Sequence, residues 1–253
     1  LLRHGENFYD KYTIVRNLSD SEINGRVSIC KLIGTNDLYI VKQMKNKPCS
    51  YKELYIHSCL QSDYVVEIFD IYIDTSYLYI ILEYCSDGDL FEKINGCLLT
   101  PNEALNIIYN ISTLVKHVHR MGIIHGDLKL ENILLDGLCM RLCDFGYSVF
   151  ADCPNTSCYL YTNPYTAPEQ LRYKYFTYSS DVWSLGIILY ILIFDKYPFG
   201  YIDDDELTPY EMYNLIMNNK IGIPDNAPKH IKKILNGMLQ IDPLKRYTLD
   251  KVR

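Results

Sequence analysis

Several short stretches of this chain hold residues whose types and spacing could do chemistry. In IHGDLKLENILL (124–135), Asp127, Lys129 and Asn132 lie between two apolar flanks. Asp127 could accept a proton and Lys129 could neutralise charge developing on a transferred group. Asn132 could hold a hard cation through its side-chain oxygen. Apolar flanks imply a rigid scaffold, which is how reacting groups are positioned. In LCDFGYS (142–148), Asp144 stands at a strand end before a hinge-like Gly146, a placement that suits Mg2+ coordination. Lys42 in LYIVKQM is unusual on a half-buried strand but commonplace if it faces an edge. In LSDSEINGRV (18–27), Gly25 follows Asp20 and Glu22, and a phosphate-gripping loop and a plain hairpin both fit. Three further stretches read as structural. TAPEQL puts Glu169 after a proline turn, DVWSLG puts Asp181 at the head of an apolar run, and DPLKR puts Arg246 where it could pair with a buried acid.

The elements that must position these groups differ along the chain. Residues 12–82 carry alternating runs: YTIVRNL, GRVSICKLI, DLYIVKQM, VVEIFDIYI and YLYIILEY, with turns at NG, GTND and DTS. One helical stretch, SYKELYIHSCL (50–60), interrupts them, so the expectation is an antiparallel sheet with one helix. From residue 100 the period changes. Thr100-Pro101-Asn102-Glu103 is a capping box with proline at the first helical position, and Leu105, Ile108, Ile111, Leu114, Val115 and Val118 follow at helical spacing. Thr208-Pro209-Tyr210-Glu211 is a second such start. The fold class expected is α+β, with the join near EYCSDGD (83–89), where a ligand cleft is common.

Composition excludes several classes. The chain has 253 residues, 48% apolar and 22% charged, the profile of a soluble globular protein. A net charge of −6 disfavours nucleic acid and favours basic peptides as partners. Nine cysteines without metal-ligand spacing point to free thiols in a reducing, intracellular compartment, cytoplasmic or nuclear. The longest apolar run, residues 182–194, is shorter than the roughly 20 residues of a membrane span. No secretory leader is legible, and the abrupt start and stop are expected of a domain cut from a longer chain. The 24 tyrosines read as filler aromatics rather than base-stacking platforms.

In this order the stretches resemble the eukaryotic protein kinase family over residues 12–253, with DFG and APE intact, IVK for the lysine strand and HGDLKLEN for the catalytic loop. The resemblance implies a bilobal kinase fold: a single domain, 1–253, with an N-lobe over 8–84 and a helical C-lobe over 85–253. It implies ATP and Mg2+ as cofactors and Ser/Thr hydroxyls of proteins as acceptors. Lys42 would hold the α/β-phosphates and pair with Glu53. Asp127 would orient and deprotonate the acceptor, Lys129 would meet the γ-phosphate, and Asn132 and Asp144 would hold Mg2+. Glu83 to Cys85 would bond the adenine edge, with Leu82 at the gatekeeper position. Val27, Ile40 and Leu134 would sandwich the ring, Asp89 would reach the ribose, and Gly25 would line the phosphate loop. Glu169 with Arg246, and Asp181, look structural. Thr162 matches the threonine beside the acceptor in Ser/Thr kinases. DLKLENILLD with CDFGYS looks most like the calmodulin-dependent and AMP-activated group. Glu131 and Asp89 imply protein substrates with a basic residue upstream of the acceptor, although Ile191 stands where strongly basophilic relatives carry glutamate. Asp203 to Glu206 read as a solvated loop rather than a docking site. Nucleic acid and membrane are not expected partners, and the oligomeric state is open.

Four departures stand out. Gly126 replaces the arginine that pairs with activation-loop phosphate, so activity is expected not to depend on modification of Thr156, Ser157 or Tyr159. Lys42 and Glu53 are only eleven residues apart, which requires an early, short helix. His57 falls in the internal hydrophobic spine; a tolerated substitution and a pH sensor are the readings, the first preferred. In the loop, acids at the glycine positions would repel phosphate. A one-residue shift that brings Ser19 and Ser21 there, with a bulge between Glu22 and Gly25, is favoured, together with weak ATP affinity. Cys143, before DFG, reads as inert packing unless a nearby lysine activates it. The alternative to catalysis is a pseudokinase scaffold with weak or no phosphate transfer.

Overall fold

The alternating runs form strands, and their backbone groups pair in one sheet. The computed structural model describes residues 2–3, 6–21, 25–95, 97, 99–153, 163–199 and 207–252. Glu22, Thr156, Ser157, Tyr159, Thr162 and Asp203 to Glu206 lie outside the described residues. In chain order the first elements are β1 (Leu2–Arg3), α1 (Phe8–Lys11), β2 (Tyr12–Ser21), β3 (Gly25–Leu32), β4 (Leu38–Lys45), α2 (Pro48–Cys59), β5 (Ile68–Ile73) and β6 (Tyr77–Glu83). The sheet order is β1-β5-β6-β4-β3-β2. All neighbours are antiparallel except β1, which joins β5 in parallel, Leu2 opposite Ile71.

That extra strand and the short helix α1 add to the expected sheet. Buried Asp70 holds them: its carboxylate accepts from Arg3 Nε (2.8 Å), Lys11 Nζ (2.6 Å) and the Tyr12 hydroxyl (3.0 Å). Burial pushes the Asp70 carboxyl up, but bonds from Lys11, Arg3 and Tyr12 hold it below the usual carboxylate range. Phe8 seals the same corner, stacked on Tyr12 and Tyr79 at 5.8 and 5.1 Å.

Helix α2 starts two residues earlier than the pattern indicated, with Pro48 at the first helical position, where its missing N–H costs nothing. Ser50 Oγ donates to Lys45 O (2.8 Å), binding the helix to the strand before it. This early start is how a short connection still carries Glu53 and His57, one turn apart, toward the sheet.

The first compact unit is Leu1–Asp87 together with Leu135–Gly146. The chain returns to it at β8 (Ile133–Asp136) and β9 (Cys139–Leu142). Leu142 N donates to Tyr64 O (2.9 Å), Val66 N donates to Leu142 O (3.0 Å), and Arg141 Nε bonds Glu83 (3.0 Å). Contacts this distant along the chain leave no local pattern.

The second unit, Gly88–Leu134 with Tyr147–Arg253, is mainly helical. It holds α3 (Leu90–Ile94), α4 (Pro101–Arg120), a 3-10 turn at Leu130–Asn132, α5 (Pro168–Tyr173), α6 (Tyr178–Phe194), α7 (Pro209–Asn218), α8 (Lys229–Met238) and α9 (Leu249–Val252). A short antiparallel pair, β7 (Ile123–Ile124) and β10 (Val149–Phe150), completes it. Both expected capping boxes form: Glu103 N donates to Thr100 Oγ1 and Thr100 N to Glu103 Oε2, with the same exchange between Thr208 and Glu211. Ile108, Ile111, Val115 and Val118 of α4 are buried, as are Leu185, Ile188 and Leu189 of α6, against which α4 packs. Each such burial contributes about 1.5–3 kcal/mol. Among the described residues, no helix is long and apolar enough to cross a membrane.

Candidate active site

In the first unit, β4 and β3 set one face of the sheet. Val27 pairs with Lys42 and Ile40 pairs with Leu82, so these four side chains share a face. Lys42 is buried, and its Nζ meets Glu53 Oε1 at 2.5 Å and Asp144 Oδ1 at 2.9 Å. Burial alone would lower the Lys42 ammonium, but Asp144 and Glu53 hold it protonated, above its ordinary range. Asp144 adopts φ 59°, the left-handed region that aspartate enters more readily than most residues. Strain of about 1–3 kcal/mol kept at one residue marks a site where position matters more than stability.

His57 lies beside this cluster. It is buried, Nε2 bonds Val66 O at 2.7 Å, and the ring stands 5.0 Å from Phe145. Burial lowers its pKa to about 4. The ring is therefore neutral, donates to the carbonyl, and does not change charge between pH 6 and 8, which removes the pH-sensor reading at neutral pH.

In the second unit, the segment His125 to Asp127 is tied at every backbone group. Asp181, fully buried at the start of α6, accepts from His125 N and Gly126 N, both 2.9 Å, and meets His119 Nε2 at 2.7 Å. Burial raises the Asp181 carboxyl, yet His119 and these amides hold it below its usual range. Ser148 Oγ donates to His125 O (2.7 Å), Gln170 Nε2 to Gly126 O (3.0 Å) and Asn132 Nδ2 to Asp127 O (2.8 Å). Asp127 N reaches His125 Nδ1 (3.3 Å). The Asp127 carboxylate itself meets Asn163 Nδ2 (2.5 Å), Asn132 Nδ2 (3.2 Å) and Lys129 Nζ (3.1 Å). A carboxylate fixed this way needs little reorganisation to meet a further donor.

The remaining expected residues fall as follows. Val27, Ile40, Leu82 and Leu134 are half-buried. Cys85 is buried, and burial pushes its thiol up to about 12, so it is a neutral packing group. Glu83 pairs with Arg141 and carries a structural tie. Asp89 caps α3 through Glu92 N (2.8 Å) and bridges to Leu134. Gly25 has φ 84°, and a Cβ there would lie 2.3 Å from Gln43 O, so the strand pairing alone demands glycine. Asp20 pairs with Arg26 (2.6 Å) across the hairpin, on the face opposite Ser19, and the described register shifts lie between Ile14 and Arg16 and between Asn17 and Ser19. The bulge expected after Glu22 lies outside the described residues.

Gly126 has φ 79°, and a Cβ there would come within 2.7 Å of Phe176 Cε1. The site is shaped for glycine, with Phe176 filling the space an arginine stem would need. Gly126→Ala should cost about 2–4 kcal/mol, combining the left-handed penalty and overpacking. Thermal unfolding checks it: a fall of roughly 5–15 °C is expected, and a midpoint within a degree or two of the parent contradicts the packing.

The donor chemistry suits a hard divalent ion. In the second unit Asn132 commits Nδ2 to Asp127, which leaves its amide oxygen for a cation; in the first unit, taken by itself, Asp144 carries a carboxylate. Among the described residues, no group of three or more His, Cys, Asp and Glu could hold a metal, so Mg2+ would need phosphate oxygens as well. Sequence reasoning missed His119, Ser148, Asn163 and Gln170. Their partners lie 23 to 62 residues away, and only polar residues beside apolar runs hinted at them.

The family described as "Protein kinase domain" matches residues 23–253. Testis-specific serine/threonine-protein kinase 5 of Mus musculus is 36% identical over 199 residues, 74% of this chain and 52% of that protein. Mitosis inducer protein kinase cdr1 of Schizosaccharomyces pombe is 32% identical, over 89% of this chain and 38% of its own length. Serine/threonine-protein kinase SRK2E of Arabidopsis thaliana is 30% identical, over 96% and 70% respectively. The chain thus spans about half the length of the first of these relatives, and less of the second.

Proposed function

This chain belongs to the protein kinase domain family, and we propose that it transfers the γ-phosphate of ATP to Ser/Thr hydroxyls of proteins. The observation that carries this reading is the Lys42–Glu53–Asp144 cluster. Two carboxyl groups face one ammonium in a largely buried place, and burial pushes the Glu53 carboxyl up. For stability alone, apolar residues would serve as well or better. The arrangement suits a group that brings both phosphate for the lysine and a cation for Asp144.

In this reading Lys42 holds the α/β-phosphates and Glu53 keeps its ammonium in place. Asp127 orients the acceptor hydroxyl and takes its proton on the carboxylate, while Lys129 neutralises charge on the transferred group. Asn132 and Asp144 each offer an oxygen to Mg2+, which would neutralise phosphate charge as it develops. Val27, Ile40 and Leu134 contact adenine, the Glu83 to Cys85 backbone bonds its edge, and Asp89 reaches the ribose. Gly25 belongs to the phosphate loop.

DLKLENILLD and CDFGYS support a calmodulin-dependent or AMP-activated type of kinase. Glu131 is exposed, so its carboxylate is open to an incoming basic side chain, which supports a basic residue upstream of the acceptor. Exposed free thiols at Cys49, Cys97, Cys139 and Cys153 support an intracellular setting. The test is Mg·ATP-dependent transfer to a basic serine peptide beside its tyrosine counterpart. Transfer to serine alone supports the reading, and transfer confined to tyrosine overturns it.

A further inference from the structure

We infer that Asn163 is a positioning residue for Asp127, fixing the carboxylate in the orientation that meets an acceptor hydroxyl; this rests on the phosphate-transfer reading above. Asn163 is buried, and its Nδ2 lies 2.5 Å from Asp127 Oδ1. The far side of its amide is also fixed. Oδ1 accepts from Tyr165 N (2.9 Å) and Thr166 Oγ1 (3.0 Å), and Thr166 N donates back to Asn163 O (3.1 Å). With two donors on Oδ1, the NH2 group must face the carboxylate. The flipped amide would set oxygen against oxygen and donor against donor. Pro164 follows and restricts the Asn163 backbone to extended conformations, so the amide is presented from a stiff turn.

Among the described residues, the donors that meet Asp127 divide between its two oxygens. Asn132 and Lys129 both meet Asp127 Oδ2, whereas Asn163 meets Oδ1. Donors on both oxygens stop rotation of the carboxylate about its Cβ–Cγ bond, which donors on one oxygen alone do not. Asn163 and Asp127 are 36 residues apart, so the bond also joins the proton acceptor to the turn that begins α5. The reacting group and that turn thereby move together.

The full chain tests this with Asn163→Ala and the isosteric Asn163→Asp. The alanine variant should lower kcat by about ten- to a hundredfold with KM for ATP little changed, because misplacement of a reacting group by about an ångström has effects of that size. The aspartate variant sets a second carboxylate beside Asp127 and should move the acid limb of the kcat–pH profile to higher pH by about one unit. A role in folding alone would not move that limb. Wild-type kcat and pH profile in both variants would overturn the inference.

A second measurement does not depend on turnover. The Asn163 side-chain NH2 resonances should shift when Asp127 is replaced by asparagine, and resonances that ignore this replacement would equally overturn the contact. If the parent chain transfers no phosphate while these resonances respond, the contact stands and the transfer reading falls.

Discussion

Asp127→Asn should lower kcat for phosphate transfer by about 10²–10⁴-fold, the span set by loss of a general base, while KM for ATP stays within about twofold, as when an interaction made only in the transition state is removed. The substitution keeps the shape of the side chain and removes the proton acceptor. Asn163, Asn132 and Lys129 all present donors to this group. An amide there must turn its own NH2 toward at least one of them, so the variant also loses a bond worth about 1–3 kcal/mol. Thermal unfolding and binding of an ATP analogue separate that loss from lost chemistry. The segment stays anchored through Asp181, Ser148 and Gln170, so a folded, nucleotide-binding variant is expected. Retention of more than about a tenth of the parent activity would remove Asp127 from the role of proton acceptor.

Arg246→Met should destabilise the chain more than any other single change considered. Arg246 bonds Glu169 with both terminal nitrogens, Nη1 to Oε1 at 2.8 Å and Nη2 to Oε2 at 3.0 Å. Its side chain is fully buried; it also bonds Ser179 O and Gln240 O and lies over the Trp183 ring at 5.1 Å. Removing the cation leaves a buried carboxylate whose remaining partner among the described residues is the Ser180 hydroxyl (2.8 Å), a loss of about 3–5 kcal/mol. The unfolding midpoint should fall by on the order of 10 °C for a chain of this size. Replacing both partners by methionine should cost less than the single change, because no unpaired charge remains. A double variant less stable than Arg246→Met would contradict this account of the pair.

What could be read from the sequence follows from how far each interaction reaches. The boxes at Thr100 and Thr208 involve residues three apart, so their type and spacing carry the whole signal. Strands β2 to β6 were legible by alternation, and Lys42, Asp127, Asn132 and Asp144 by the order of short motifs. The Lys42–Glu53 spacing requires an early helix start, and Pro48 at the first helical position supplies it. The parallel strand β1 was not legible: two residues have no period, and Asp70 lies 67 positions from Arg3. The same holds for Gln170 on Gly126 and Asn163 on Asp127, each a side chain chosen for a partner far along the chain. Gly126 was read as a missing arginine. The structure adds that Phe176 takes the space, so the change is built into the packing around it.

The central claim is turnover by a kinase domain that keeps its reacting residues despite acids in its phosphate loop. The most direct measurement is Mg·ATP-dependent transfer of labelled phosphate to a basic serine-containing protein by the full chain, run beside Asp144→Ala. The parent should transfer phosphate, and the variant should lose it by at least about a hundredfold, since phosphoryl transfer relies on positioning and charge stabilisation. No transfer by either protein, with ATP still bound by the parent, would contradict the account and identify the chain as a nucleotide-binding scaffold.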